Sequence, residues 1–202
     1  VFTSDKEYPS LDNPDVGVRL LALYRYWNTI AYFYPYRDLI TNWEKVLVDY
    51  IPIMIKADSR LKYELALASL VAKIEDTHAG ITGYIKSTMD YYGHCSPAFS
   101  LAYIQNNWVV TKYLDVTTGP GSGVELGDVL DSINGKTVEE IVQSRLAITS
   151  ASNLPTKYRN ISWNLLKTND SVMTLSFTRV GVAITKRVRT FPENNLSKLG
   201  FT

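Results

Sequence analysis

The spacing of apolar and polar positions changes once along the chain. As far as about residue 85 apolar residues recur at steps of three and four. Beyond residue 98 they alternate with polar ones. Val16, Leu20, Leu23, Trp27, Ile30 and Tyr34 form one stripe of an amphipathic helix. Asn13 is placed to cap it, Pro14 suits its first turn, Asp15 suits its positive end, and Pro35 ends it. A second helix opens at Thr41 and Glu44, a capping-box spacing, with Trp43, Val46, Leu47, Tyr50 and Met54 on one face. Pro52 lies inside that pattern and predicts a kink or a split. A third helix starts near Asp58 or Ser59 and runs through Leu61, Leu65, Leu67, Leu70, Val71 and Ile74. Its pattern fades at Glu75-Asp76-Thr77-His78.

Phe99, Leu101 and Tyr103 then alternate with Ser100 and Ala102, which predicts a strand, and Asn106-Asn107 is a turn signal. Trp108 to Leu114 is rich in β-branched and aromatic residues and reads as a second strand. Gly119 to Gly123 reads as a loop. Val129 to Ile133 reads as a short strand stopped by the tight-turn pair Asn134-Gly135. Thr137 and Glu140 repeat the capping-box spacing ahead of a stripe at Val138, Ile141, Val142 and Leu146. After a loop from Ser150 to Asn153, Pro155 opens another helix with Tyr158, Ile161, Leu165 and Leu166 on its face. Val172 to Val180 and Val182 to Thr190 bracket Gly181 as a hairpin. The fold class expected is α+β. A helical domain covers residues 1–88, with a loose lead-in over 1–12. A mixed domain of about five strands and two helices covers 89–192. Residues 193–202 form a linker or tail.

Composition narrows the function. The chain has 202 residues, 46% hydrophobic and 20% charged, which suits one large or two small soluble domains without a disulfide or metal staple. Lys plus Arg is 21 and Asp plus Glu is 20, so nothing in the +1 net charge draws a polyanion, and no nucleic-acid partner is expected. Cys95 is the only cysteine and has no internal disulfide partner. No apolar run approaches the roughly 18 residues that span a bilayer, so the protein is not expected to be transmembrane. No signal sequence opens the chain, so an export signal was either removed or never present. The 14 tyrosines suit half-buried surfaces. Those from Tyr24 to Tyr36 either line an interface or pack the first helix against the others.

No cofactor and no metal is expected. Gly121, Gly123 and Gly127 do not match dinucleotide spacing, and no Lys-Ser/Thr pair follows as in a phosphate loop. His94-Cys95 lacks the partner pair that would close a tetrahedral site, and a structural role is expected. Ser122 sits between glycines without a nucleophile elbow around it and is not expected to be catalytic. Lys186, Arg187 and Arg189 read as a solvated strand edge that resists pairing. Asn160-Ile161-Ser162 and Asn195-Leu196-Ser197 match the short glycosylation pattern, which is common by chance.

Two strings carry a resemblance. Leu126-Gly127-Asp128-Val129-Leu130 followed by Ile133-Asn134-Gly135 resembles the Leu-x-x-Gly-Asp-x-Ile-x-x-Ile-Asn-Gly pattern of PDZ domains. The resemblance implies a small β-barrel or sandwich with flanking helices, in which a peptide adds as a strand to a sheet edge. The loop Pro97-Ala98-Phe99-Ser100 and the strand from Phe99 to Ile104 would then be the pairing edge. The helix from Val138 to Thr149 would be the opposite wall. Ala98, Phe99, Ser100, Leu101, Ile141 and Arg145 are the implied peptide-binding residues. Pro97 removes one backbone donor from the loop that would hold a terminal carboxylate.

The second string is Ile74-Glu75-Asp76-Thr77-His78-Ala79-Gly80-Ile81. Taken alone, it is either a histidine beside a carboxylate and a hydroxyl, the parts of an acid–base relay, or a histidine completing a helix C-terminus. A helical bundle ending in Asp-Thr-His-Ala ahead of a PDZ-like domain resembles the carboxyl-terminal processing, tail-specific and tricorn-like serine peptidases, over about residues 16 to 191. Leu23 to Asn28 and Tyr32 to Tyr36 look like a branch of that family found in exported bacterial proteins. The resemblance implies His78 as the base, supported by Thr77, a polypeptide or C-terminal peptide as ligand, and a periplasmic or cell-envelope location. It also implies a nucleophile domain beyond residue 202, so that this chain alone is expected to be inactive. The alternative is a complete, non-catalytic peptide-binding adaptor. A self-contained hydrolase pairing His78 with a local serine is a further alternative.

Overall fold

Asp15 caps the first helix, α1 (Val16–Phe33), in a computed structural model that describes residues 13–81 and 86–192. Its carboxylate accepts from the Val18 N–H at 3.0 Å. Asn13, the cap expected from the sequence, instead donates to the Asp58 carbonyl at 3.0 Å. α1 stops at Phe33 because Pro35 pushes the residue before it out of the helical region, and Tyr34 is extended. A single 3-10 turn, Arg37–Leu39, leads to α2 (Trp43–Lys56). Its N-cap is Asn42, in the left-handed region, so the expected Thr41 capping box does not form. Glu44 is drawn off to Arg37 at 2.8 Å.

Pro52 lies within α2 and does not split it. Val48, the residue whose carbonyl loses its helical donor, is exposed, so water replaces the lost bond. Reciprocal indole bonds join α1 to α2: Trp27 donates to the Trp43 carbonyl at 2.9 Å, and Trp43 to the Trp27 carbonyl at 3.1 Å. The buried Arg19 donates to the Met54 and Ile55 carbonyls, satisfying acceptors of the last turn of α2. Ser59 caps α3 (Arg60–Val71), which tightens into a 3-10 turn, Ala72–Ile74. Leu23, Ile30, Trp43, Met54 and Leu70 centre the core of these helices.

α4 (Lys86–Tyr92) was not legible in the sequence, because its seven residues carry no apolar stripe. A buried carboxylate holds it instead. Glu64 on α3 accepts the Thr88 N–H and the Thr88 hydroxyl, each at 2.8 Å, and Arg60 at 2.8 Å. Burial alone raises the Glu64 carboxyl, but the hydrogen bonds from Arg60 and Thr88 outweigh it and leave it below the ordinary 4.5. Glu64→Ala strands these donors and is expected to cost about 1–3 kcal/mol, read as a lower melting temperature. With the folded-state pKa depressed, the contribution of Glu64 is complete above the unfolded-chain value. It fades as pH falls through the folded value, so wild type and variant should converge in acid.

The remainder comprises β1 (Cys95–Ser96), β2 (Phe99–Ile104), β3 (Asn107–Tyr113), α5 (Thr118–Gly121), β4 (Val129–Ile133), β5 (Lys136–Thr137), α6 (Val138–Leu146), α7 (Leu154–Leu165), β6 (Val172–Arg179), β7 (Val182–Arg189) and β8 (Phe191–Pro192). The class is α+β, as expected. The main sheet is antiparallel in the order β2-β3-β4-β6-β7, with β5 on β4, and β1 pairs with β8 apart from it. β1, β5, β8 and α5 exceed the expected strands and helices because each is too short to show a period. α5 also occupies the start of the stretch expected to be a loop. Phe191-Pro192, at the end of the expected mixed domain, pairs with Ser96-Cys95. The tail expected over 193–202, Asn195-Leu196-Ser197 included, and the lead-in over 1–12 lie outside the described residues.

Three hairpin turns use consecutive positive-φ residues, the backbone that matches strand twist. These are Gln105-Asn106, Asn134-Gly135 and Val180-Gly181. The first lies one residue before the expected Asn106-Asn107. Phe99, Leu101, Val110, Leu130, Leu165, Leu175 and Phe177 form the core between sheet and helices. α7 lies along β2, while α6 packs on α7, β4 and β5. The helix beside the edge strand is therefore α7, not the segment from Val138 to Thr149. The chain breaks after α6 and restarts at the Asn153 cap with Pro155 in the first turn, which swings the second helix back over the sheet.

Candidate functional site

The two parts of the chain meet at the turn that carries His78. After the 3-10 turn at Ala72–Ile74, Glu75 takes a left-handed conformation with φ 51°. A non-glycine residue holds that geometry only where its surroundings fix it. The chain then closes a tight turn in which the Ala79 N–H donates to the Asp76 carbonyl at 3.1 Å. His78 thus sits in a turn beyond the last helical residue. It does not complete a helix C-terminus, because the left-handed Glu75 has already ended the helical run.

Asp76 organises this turn. Its Oδ1 accepts the His78 N–H at 2.8 Å and lies 3.4 Å from His78 Nδ1. Its Oδ2 accepts the Tyr34 hydroxyl at 2.9 Å, from the end of α1. The His78 N–H and the Tyr34 hydroxyl hold the Asp76 carboxyl below the ordinary 3.8, so it is a stable anion beside the imidazole. The His78 side chain is 97% exposed. Behind it, Tyr26 has a buried hydroxyl with no hydrogen-bond partner among the described residues. Burial first, then Tyr34 and Asp76, push its pKa up to about 12, so it stays a neutral phenol.

Thr77 does not point back to the helices. It bonds to Ser152, in the connection between α6 and α7: the Thr77 N–H donates to Ser152 Oγ at 3.1 Å, and the Ser152 N–H donates to Thr77 Oγ1 at 3.0 Å. Beside the turn, Tyr34, Tyr36, Leu39, Ile74 and Ser152 line an open cleft of about 400 Å³ that also includes His78. Chemically, the arrangement offers an exposed imidazole, an ionised carboxylate at its Nδ1 side, and room for an approaching group. Among the described residues no serine hydroxyl bonds to the His78 ring. Ser122 donates to the Gly119 carbonyl at 2.6 Å instead. His94 pairs with Asp90 at 2.7 Å, and no group of three or more His, Cys, Asp or Glu among the described residues is placed to hold a metal ion.

The residues expected to bind peptide divide between two places. Among the described residues β2 is an edge strand of the main sheet, with no strand partner on its outer side. Ala98, Phe99 and Leu101 are buried, with Phe99 and Leu101 packed in the core, and Ser100 is half-buried. The rings of Tyr103 and Tyr158 meet at 4.1 Å between β2 and α7. Ile141 packs against the sheet core. Arg145 stacks its guanidinium over the Tyr92 ring at 5.2 Å, and its Nη1 is buried without a hydrogen-bond partner among the described residues. Sequence reasoning missed Tyr34, Ser150 and Ser152 as partners of the histidine turn. Nothing local marks them, because their contacts span 42 to 75 positions.

These features define an α+β protein whose helical part presents a histidine turn braced by its sheet-bearing part. Known structures share that fold. Mature CPAF, a chlamydial serine protease resembling the tail-specific proteases, matches in complex with lactacystin with a TM-score of 0.60 at 13% identity, over 87% of this chain and 35% of that one. Another structure of mature CPAF matches with a TM-score of 0.59 at 12% identity, over 93% and 38%. A serine-to-alanine mutant of CPAF matches with a TM-score of 0.58 at 14% identity, over 88% and 34%. The fold is thereby shared with CPAF over most of this chain, which spans about a third of the chains it matches. No protein-family model and no curated protein sequence matches it. No helix among the described residues is long and apolar enough to cross a membrane.

Proposed function

We propose that this chain is the substrate-binding and base-supplying portion of an exported serine peptidase of the carboxyl-terminal processing kind. One observation carries the reading: an exposed His78 with its Nδ1 side against an ionised Asp76, on a fold shared with CPAF over most of this chain. In this reading His78 takes the proton from a serine supplied by a further domain, and Thr77 fixes the turn from which it does so. The sheet-bearing part is a PDZ-like module. A substrate peptide adds along β2, with α7 as the neighbouring wall. The open strand edge supports this, as do the turns at Gly127 and at Asn134-Gly135 that carry the PDZ-like pattern.

The test is to express the complete product of the reading frame that encodes this sequence and treat it with a fluorophosphonate, which labels activated serines. Labelling at a single serine beyond Thr202, absent from the 202-residue chain alone, is the expected result. A reading frame that stops at Thr202, with peptide binding but no labelling, would establish the adaptor instead.

A further inference from the structure

His78 is exposed, yet the turn that carries it is gripped from a distant stretch of the chain. The connection between α6 and α7, together with the start of α7, reaches three consecutive residues ahead of the histidine. The Ser150 hydroxyl donates to the Asp76 carbonyl at 2.7 Å. Ser152 and Thr77 exchange backbone-to-hydroxyl bonds in both directions, and their two hydroxyls meet at 2.9 Å. Lys157, in the first turns of α7, lies 3.5 Å from Glu75. Between the two serines Ala151 is 0% exposed, so this connection is anchored in the interior rather than resting on the surface. Asn153 then caps α7 by accepting from the Thr156 N–H at 2.9 Å. Ser152 is therefore one residue from the cap of the helix that lies along β2.

Neither serine touches the imidazole, so neither acts on a substrate directly. Their effect is on placement. A general base must come within about 2.6–3.2 Å of the proton it takes. A misplacement of about 1 Å is enough to slow a reaction by about 10²-fold. An imidazole with an almost fully exposed side chain gets no such placement from packing of its own. We infer that Ser152, assisted by Ser150, is a positioning residue for His78, through which the sheet-bearing part sets where the histidine stands. Its catalytic consequence rests on the peptidase reading, while the clamp itself can be tested without it. Because Ser152 adjoins the cap of α7, the histidine turn is also tied to the strand edge that a peptide would occupy.

The test compares Ser152→Ala with the conservative Ser152→Thr. In the 202-residue chain, amide exchange and NMR shifts of residues 76–79 are followed. Ser152→Ala should speed exchange of the Thr77 amide by about tenfold or more and shift the His78 signals, with the sheet-core signals and melting temperature little changed. Ser152→Thr should keep the wild-type pattern. In the complete gene product Ser152→Ala should lower kcat by about 10- to 10²-fold with KM unchanged, and Ser152→Thr should recover most of it. Unchanged Thr77 exchange in Ser152→Ala would overturn the inference, as would a freed turn with full kcat. The peptidase reading fails separately, if His78→Ala leaves hydrolysis intact.

Discussion

Replacing Asp128 by alanine should unfold the sheet-bearing part below the wild-type melting temperature, at a cost of about 1–3 kcal/mol. Asp128 is 1% exposed and carries a fork-to-fork pair with Arg179. Nε donates to Oδ1 and Nη2 to Oδ2, each at 2.7 Å, while the Glu125 N–H donates to Oδ2 at 2.8 Å. Arg179 also reaches the Gly123 carbonyl and Glu125, so one guanidinium ties the Gly123–Asp128 turn to the end of β6. Alanine removes the carboxylate, strands the Glu125 N–H and leaves the guanidinium to Glu125 and the Gly123 carbonyl. Burial by itself raises the Asp128 carboxyl, but Arg179 and the Glu125 N–H more than reverse it, and the carboxyl lies below 3.8. The folded state therefore binds that proton less readily than the unfolded chain does. The stabilisation is complete above the unfolded-chain pKa and is lost as pH falls through the folded value. Thermal unfolding from neutral pH into acid should show wild type losing its advantage over Asp128→Ala.

On the proposed function, His78→Ala should do the reverse, leaving the fold intact and removing the activity of the complete gene product. With its side chain 97% exposed, the substitution is expected to change stability by about 0.5 kcal/mol or less. Loss of a positioned base slows a proton transfer by about 10²- to 10⁴-fold. The two variants thus separate the roles of the two sequence strings. Asp128 belongs to the string that builds the sheet, and His78 to the string to which the proposed function assigns the chemistry. A large loss of folded protein in His78→Ala would place the residue in the structural class, against the geometry described.

What could be read from the sequence follows from how far each contact reaches. The long helices and main strands were legible because each carries several turns of its own period, as in the stripe from Val16 to Tyr34. Asn134-Gly135 and Gly181 were legible because a two-residue turn needs only local backbone freedom. The caps were less so. Thr41 and Glu44 have the right spacing, but Arg37 competes for Glu44, and a competing partner is invisible to spacing. α4 was hidden because its anchor, Glu64, lies on another helix. At the site, Asp76, Thr77 and His78 were legible as one string. Tyr34, Ser150 and Ser152 were not, since only the folded chain brings them to it. The helix beside β2 was assigned one element too early, because the stripe in α6 and that in α7 are alike and only the break at Asn153 separates them.

The most direct measurement is the steady-state hydrolysis of an unfolded polypeptide by the complete gene product, wild type against His78→Ala, at matched concentrations of folded protein. On the proposed function kcat/KM should fall by about 10²- to 10⁴-fold, with the melting temperature and any peptide binding at β2 unchanged. Hydrolysis at the wild-type rate without His78 would contradict it.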